Sequence, residues 1–186
     1  MPSQRSLSFD PVLAAREVWK SKGWSEASTG MAAVTSIMRA HQLFLARANE
    51  VLRPFGLSFA RYEVLAWLAW SAECGSLSLS QIAERLQVTP ATVTNAIDRL
   101  EADDQVRRLP HPSDARTTLA EITTEGRHTV TVATDELNAK VFETVQLSRT
   151  ELESLIHLLV KVRVEAGDFS SADAKAWQAG ARSRLR

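Results

Sequence analysis

"SQIAERLQVTPATVTNAIDRLEA", residues 80–102, decides the fold. It reads as two short helices joined by a tight turn. Ser80 is expected to cap the first, "QIAERLQ", and Thr89 the second, with Pro90 at the first helical position where no amide donor is needed. In the second helix Val93, Ile97 and Leu100 recur at helical spacing and mark one buried face. Ala83 is small enough for the first helix to approach the second closely. The opposite face presents Ala91, Thr92, Asn95, Asp98 and Arg99, with Thr94 at its margin. The pattern is that of a helix-turn-helix, in which the front of the second helix enters the major groove. Asn can pair bidentately with adenine there, and a Thr methyl can pack on the thymine methyl.

The residues directly after the second helix strengthen this reading. Residues 106–109 and 117–122 are predicted strands, joined by a loop holding Pro110, Pro112 and Ser113. A two-stranded hairpin directly behind a recognition helix makes a winged helix. Its loop carries "DAR", residues 114–116. Arg116 is placed to enter the minor groove or meet a phosphate, and Asp114 is expected to pair with it and hold its orientation. His111 and the Arg107-Arg108 pair are expected to add positive charge. An isolated Asp-x-Arg would read as a solvated pair worth under about 1 kcal/mol; behind a helix-turn-helix the binding role is favoured. The predicted DNA-contact residues are Ser80, Gln81, Thr89, Ala91, Thr92, Thr94, Asn95, Arg99, His111, Asp114 and Arg116.

Outside this segment the chain is helical. Asp10-Pro11 opens a first helix that Gly23 can end. A longer one is predicted from Ser28 or Thr29, with Val34, Ile37, Met38, Phe44, Leu45, Val51 and Leu52 at helical spacing and a stop at Pro54-Phe55-Gly56. Ser58 caps "FARYEVLAWLAWSAE", apolar around most of its circumference and ending at Gly75. Thr123 or Thr124 caps a helix predicted to reach about Gln146. Ser148 caps the next, where Leu152, Leu155, Ile156, Leu159 and Val162 form a stripe. The expected class is mainly α with a small β-wing: a winged-helix lobe plus a helical dimerisation region. The divisions are an N-terminal extension (1–27), a dimerisation and pocket helix (28–57), the winged-helix lobe (58–123), long helices of a dimer base (124–168) and a tail (169–186) holding Trp177 and several arginines.

Composition limits the alternatives. The chain has 186 residues, 45% hydrophobic and 24% charged, with a formal net charge of zero. Zero net charge argues against an indiscriminate coating of nucleic acid while leaving room for a local basic patch. No apolar run approaches the roughly 20 residues that span a bilayer, and the N-terminus has no apolar signal-peptide core, so no membrane role and a cytoplasmic location are expected. Cys74 is the single cysteine, which excludes an internal disulfide. A thiol sensor at Cys74 is an alternative, weakened because only Glu73 adjoins it and activation needs a nearby base or positive charge. His41, His111, His128 and His157 lack metal-ligand spacing, and no catalytic triad, phosphate loop or paired carboxylate motif appears. Neither an enzyme nor a resident cofactor or metal is expected.

The segment "LSLSQIAERLQVTPATVTNAIDRLEADDQVRRLPHPSDARTTLAEITTEG", residues 77–126, resembles the MarR family of transcriptional regulators through its helix-turn-helix, its Asp-x-Arg wing and the "T-E-G" opening the next helix. The resemblance extends over about residues 34–165. It implies a homodimer whose N- and C-terminal helices form the base, palindromic double-stranded DNA as partner, and a small-molecule pocket between base and lobes. The apolar stripes on both helical ends agree with such a base. Trp19, His41, Arg61, Tyr62, Glu63, Trp67 and Trp70 are the residues expected to line a pocket for a small aromatic or phenolic effector; the alternatives are tryptophans that only fill core, and a regulator without any effector. The added N-terminal helix is also similar to that of a urate-responsive MarR subfamily. Trp19 and Glu63 match or nearly match two of its ligand residues, but Trp70 and Ala96 stand where two arginines would be expected, which speaks against urate.

Overall fold

The computed structural model describes residues 7–70, 75–114, 116–170 and 172. Cys74, Ala115, Trp177 and the arginines of the tail therefore lie outside the described residues. The chain divides into two compact units, Met1–Tyr62 and Glu63–Arg186.

In the first unit α1 spans Pro11–Ser21 and α2 spans Ser25–Leu52. Asp10 caps α1 by accepting from the amides of Val12 and Leu13, and Gly23 turns the chain at a φ of +87°. Helix α2 begins at Ser25, earlier than the Ser28 or Thr29 expected. The reason lies in Ser28 itself: it is buried, its amide donates to the Trp24 carbonyl, and its hydroxyl donates to the Ser25 carbonyl, so it serves inside the first turn and not as a cap. Small Ser28 and Ala32 are both buried, which suits close approach of α1. Arg16 reaches Thr29 at 3.0 Å, and Trp19 meets Trp24 edge-on with ring centroids 5.4 Å apart. A 3-10 turn, Arg53–Phe55, ends α2, with Gly56 in the left-handed region at φ +69°.

Helix α3, Phe59–Trp70, opens with Ser58 accepting from the Arg61 amide. The second unit then forms a three-stranded antiparallel sheet of β1 (Ser76–Ser78), β2 (Val106–Pro110) and β3 (Thr118–Ile122), in the order β1-β3-β2. Leu77 pairs with Ala120, and Val106 with Ile122, so one face of the sheet delivers Leu77, Val106, Ala120 and Ile122 to the core. Strand β1 was not foreseen. Three residues are too few to show alternation, and its strand form depends on pairing with β3. That strand moves the start of the next helix: α4 is Leu79–Leu86, capped by Ser78 in a reciprocal box with Gln81. Ser80 lies inside the first turn and is not the cap. Helix α5 spans Pro90–Ala102 and is capped by Thr89 as expected.

Helix α6, Thr124–Leu137, starts at the Thr123 cap and passes into a π turn, Asn138–Phe142. The α-helix thus stops well short of Gln146. Gly126 sits where a Cβ would lie 2.1 Å from the Gln105 carbonyl oxygen. Glycine is required there because α6 leaves the wing through hydrogen bonds that draw it onto the α5–β2 turn, from the Thr123 amide to the Gln105 carbonyl and from the Thr123 hydroxyl to that of Asp104. Helix α7, Arg149–Glu165, opens with a Ser148–Glu151 capping box. Val64, Leu65, Leu68, Ile82, Val93, Ile97, Leu100, Val130 and Leu137 form the buried core of this unit. Among the described residues, no helix is long and apolar enough to cross a membrane.

Candidate nucleic-acid interface

Helices α4 and α5 meet through a turn in which Gln87 takes a left-handed backbone at φ +53° and the Val88 amide donates to the Ala83 carbonyl. Val93, Ile97 and Leu100 point inward and are essentially inaccessible, at 1%, 0% and 0% exposure. This anchors α5 and leaves Ala91, Thr92, Thr94, Asn95, Asp98 and Arg99 on the other face, all of them exposed to solvent. The polar groups are not equally free. The Thr94 hydroxyl is committed to the Pro90 carbonyl at 3.0 Å, and those of Thr89 and Thr92 share a hydrogen bond at 2.9 Å. The Gln81 amide oxygen accepts from the Ser78 amide at 2.9 Å. Asn95 and Arg99 spend no side-chain donor on a partner among the described residues, so their hydrogen-bonding capacity is available to a ligand.

The wing is built differently from the expectation in two respects. First, Arg107 and Arg108 are not free positive charge. Arg107 pairs with Glu121 on the neighbouring strand, while Arg108 forks across to Asp98 and Glu101 on α5. The Arg108 amide also donates to Glu101 at 3.0 Å. Arg108 therefore ties the root of the wing to the recognition helix, and Asp98 is consumed in that tie. Second, Asp114 does not hold the Arg116 guanidinium. Its carboxylate accepts from the Arg116 amide at 3.0 Å and from the Thr117 hydroxyl at 2.7 Å. These bonds, Thr117 foremost and then the Arg116 amide, with the nearby His111 adding to them, hold the Asp114 carboxyl below its ordinary pKa. Asp114 shapes the loop backbone, and the Arg116 side chain is left exposed beside it. The half-buried His111 imidazole accepts from the Ser113 amide through Nδ1 at 3.3 Å.

The residues expected to line a pocket are divided between the units. In the first, Trp19 is engaged with Trp24, His41 is exposed on α2, Arg61 donates to the Ser58 hydroxyl at 3.4 Å, and Tyr62 is buried against Phe59 with centroids 5.9 Å apart. In the second, Glu63, Trp67 and Trp70 follow one another at helical spacing on α3. Arg85 of α4 lies 5.5 Å from the Trp67 ring centroid, and Trp70 is 55% exposed. Burial raises the Glu63 carboxyl above its ordinary pKa.

Sequence reasoning missed Ser78, Glu101 and Glu121 as structural partners of this interface. Two signals were legible: Ser78 and Gln81 have capping-box spacing, and Asp98 and Glu101 stand three apart on one side of α5. The Arg107–Glu121 pair depends on strand register, which no local pattern shows.

Two helices joined by a tight turn, the second one capped and polar outward, with a hairpin tied to its far end, define a winged helix-turn-helix. Residues 57–118 match the family model described as "MarR family". The fold and sequence are similar to those of Sco5413, a MarR family transcriptional regulator from Streptomyces coelicolor, at 43% identity and a TM-score of 0.69, covering 77% of this chain and 99% of that one. Sco3205 from the same organism, a MarR family regulator whose structure is in complex with DNA, is 25% identical with a TM-score of 0.64, covering 72% of this chain and 84% of that one. The transcriptional repressor YetL of Bacillus subtilis is 39% identical over 85 residues, 44% of this chain, and the match spans only half of that protein's length (50%). The chain belongs to the MarR family of transcriptional regulators.

Proposed function

We propose that this protein is a sequence-specific DNA-binding repressor that acts as a homodimer on an inverted repeat and is released by a small ligand. The observation that carries the DNA reading is the outward face of α5, where Asn95 and Arg99 spend no donor on a partner among the described residues beside Thr92, with Arg116 exposed at the wing. Such a face places hydrogen-bonding groups at base edges and a guanidinium at the neighbouring backbone or minor groove. The likeness to a DNA-bound regulator and to a named repressor supports the assignment. A two-fold dimer with one recognition helix per subunit requires half-sites about 10 bp apart, centre to centre. Selection of bound duplexes from random DNA, followed by footprinting, tests this. Recovery of an inverted repeat is expected; one asymmetric half-site fully bound by a monomer would overturn it.

The effector reading rests on α3. Trp67 and the exposed Trp70 offer flat apolar surface, and Arg61 is the single cation that this helix carries, which suits a planar aromatic ligand bearing one carboxylate. Urate and other polyanionic purines are disfavoured, since Trp70 and Ala96 occupy positions where cations would be needed and a buried unpaired charge is costly. Titration with aromatic acids and with urate, followed by tryptophan fluorescence and operator release, decides between them. Micromolar release by urate, undiminished in Trp70→Ala, would remove this reading.

A further inference from the structure

Helix α7 ends in a turn built from local sequence. Gly167 takes a left-handed backbone at φ +77°; its amide donates to the Val164 carbonyl and the Asp168 amide to the Arg163 carbonyl, both at 3.0 Å. This paired closure satisfies the last carbonyls of a helix that ends at glycine, and an apolar contact commonly accompanies it. Here an ion pair takes that place, from Arg163 Nε to Asp168 Oδ2 at 2.6 Å, and the same guanidinium lies 4.9 Å from the Phe169 ring centroid. The turn is thereby fixed, and its Asp168 carbonyl accepts from the Gln87 side-chain amide at 3.3 Å.

Gln87 ends α4 by the same kind of closure. Its amide donates to the Glu84 carbonyl and that of Val88 to the Ala83 carbonyl, which holds residue 87 in the left-handed region at φ +53°. Glycine adopts that conformation without strain, whereas a residue with a Cβ is held there at a cost. The side chain kept at this position reaches α7, and it stands two residues before Thr89, the cap of α5. The recognition helix is thus joined to α7 by two routes. One is the chain itself, which passes through β2, β3, α6, the π turn Asn138–Phe142 and residues 143–148. The other is the Gln87–Asp168 bond. The two attachments lie at opposite ends of α7, about 25 Å apart at 1.5 Å per residue. A single connection through a turn lets two bodies swivel; a second one at that separation removes the freedom. We propose that Gln87 is a positioning residue for DNA recognition: its bond to Asp168 braces the α4–α5 turn against α7, and so sets the separation and rotation at which the two recognition helices of a dimer meet their half-sites. This rests on the homodimeric, inverted-repeat reading above. Helix α7 is suited to carry the brace, because it buries no residue within one copy and its stripe of Leu155, Ile156 and Val162 is the surface a second copy would cover.

A braced dimer depends sharply on the spacing of its half-sites, since one base pair more or less turns a half-site by about 35° and shifts it by about 3.4 Å. The experiment titrates the full chain against the duplex selected from random DNA, against versions with one base pair inserted or removed between the half-sites, and against an isolated half-site. The parent, Gln87→Gly, Arg163→Gln and the double variant are compared. Net loss of one amide–carbonyl hydrogen bond corresponds to about a two- to tenfold change in an equilibrium. The penalty for altered spacing should shrink by about that factor in Gln87→Gly, with half-site affinity and base preference as in the parent. Arg163→Gln, which loosens the turn that presents the Asp168 carbonyl, should shrink it in the same sense, and the double variant no further than Gln87→Gly alone. Melting temperature separates bracing from folding: glycine relieves the left-handed backbone, so Gln87→Gly should melt no lower than the parent. Equal spacing penalties in parent and Gln87→Gly, or a lowered melting temperature in that variant, would overturn the brace while leaving the DNA-binding reading intact. A parent that binds the isolated half-site as tightly as the full repeat would overturn the dimeric reading beneath it.

Discussion

At the scale of single residues, freedom from internal partners separates the groups proposed to read DNA from those that hold the helix in place. Asn95 has no side-chain partner among the described residues on the outward face of α5, whereas the Thr94 hydroxyl is spent on its own helix. Asn95→Ala is therefore expected to relax preference at one base position, by about 1–3 kcal/mol if its contact is bidentate. Thr94→Ala should leave preference nearly unchanged. Arg116→Ala should weaken binding more evenly across sequences and lower the salt slope by about one if its partner is a phosphate. Competition binding on a panel of single-base operator variants at several salt concentrations resolves all three, and unaltered affinity in Arg116→Ala would leave the wing without a role in DNA contact. Glu63 poses a different question, because burial raises its carboxyl pKa. A raised value in the folded state means that the protonated form favours folding. That stabilisation is complete below the ordinary carboxylate range and is lost as pH rises through the folded value. Glu63→Gln should accordingly melt higher than the parent near neutral pH, with the gain shrinking as pH falls to about 4. A constant difference in melting temperature across that range would show that Glu63 is not destabilised by desolvation.

At the scale of elements, Gly126 and Arg108 show how the lobe is assembled. A side chain at residue 126 meets the backbone oxygen of Gln105 at 2.1 Å, and backbone cannot swing aside as a flexible side chain would. Gly126→Ala should cost about 1–3 kcal/mol or separate α6 from the wing, read as a lowered denaturation midpoint; a neutral result would mean that the α5–β2 turn yields easily. The glycine stood in the sequence as part of "T-E-G", but the reason for it did not, since it depends on a carbonyl twenty-one residues upstream. The same division runs through the whole site. Caps at Asp10, Thr89, Thr123 and Ser148, and the inward triplet Val93, Ile97 and Leu100, were legible because they are set within one or two helical turns. Strand β1, the Ser78 cap and the Arg108 fork were not, because each is decided by strand register or by a partner on another element. Reading "RR" at 107–108 as free positive charge failed for that reason: sequence shows the cations but not the carboxylates folded against them.

At the scale of the whole molecule, α2 and α7 each leave apolar surface facing solvent. On α2, Val34, Ile37, Met38 and Phe44 are 57%, 42%, 62% and 46% exposed; on α7, Leu155, Ile156 and Val162 are 43%, 60% and 56% exposed. Soluble monomers rarely leave contiguous apolar patches beyond a few hundred Å² uncovered, and the residues recur at the spacing of one helical face. A second copy of the chain is the occupant that the proposed reading of an inverted repeat requires, and in a two-fold interface every substitution is felt twice. Met38→Glu combined with Ile156→Glu would place two carboxylates per dimer on each of these two helix faces, each costing several kcal/mol if buried without a partner. The expected outcome is a monomer at micromolar concentration by sedimentation, with native helix content. Its affinity for the full inverted repeat should fall to that for an isolated half-site, because the two recognition helices no longer arrive as one body and the gain in effective concentration is lost. The parent should bind the same repeat as a dimer, and insertion of five base pairs between half-sites, which turns one site to the opposite side of the duplex, should abolish its advantage. A parent that is monomeric yet binds the full repeat no better than a half-site would show that the exposed stripes serve another partner, whereas a doubly substituted protein that remains dimeric would place the interface elsewhere on the chain.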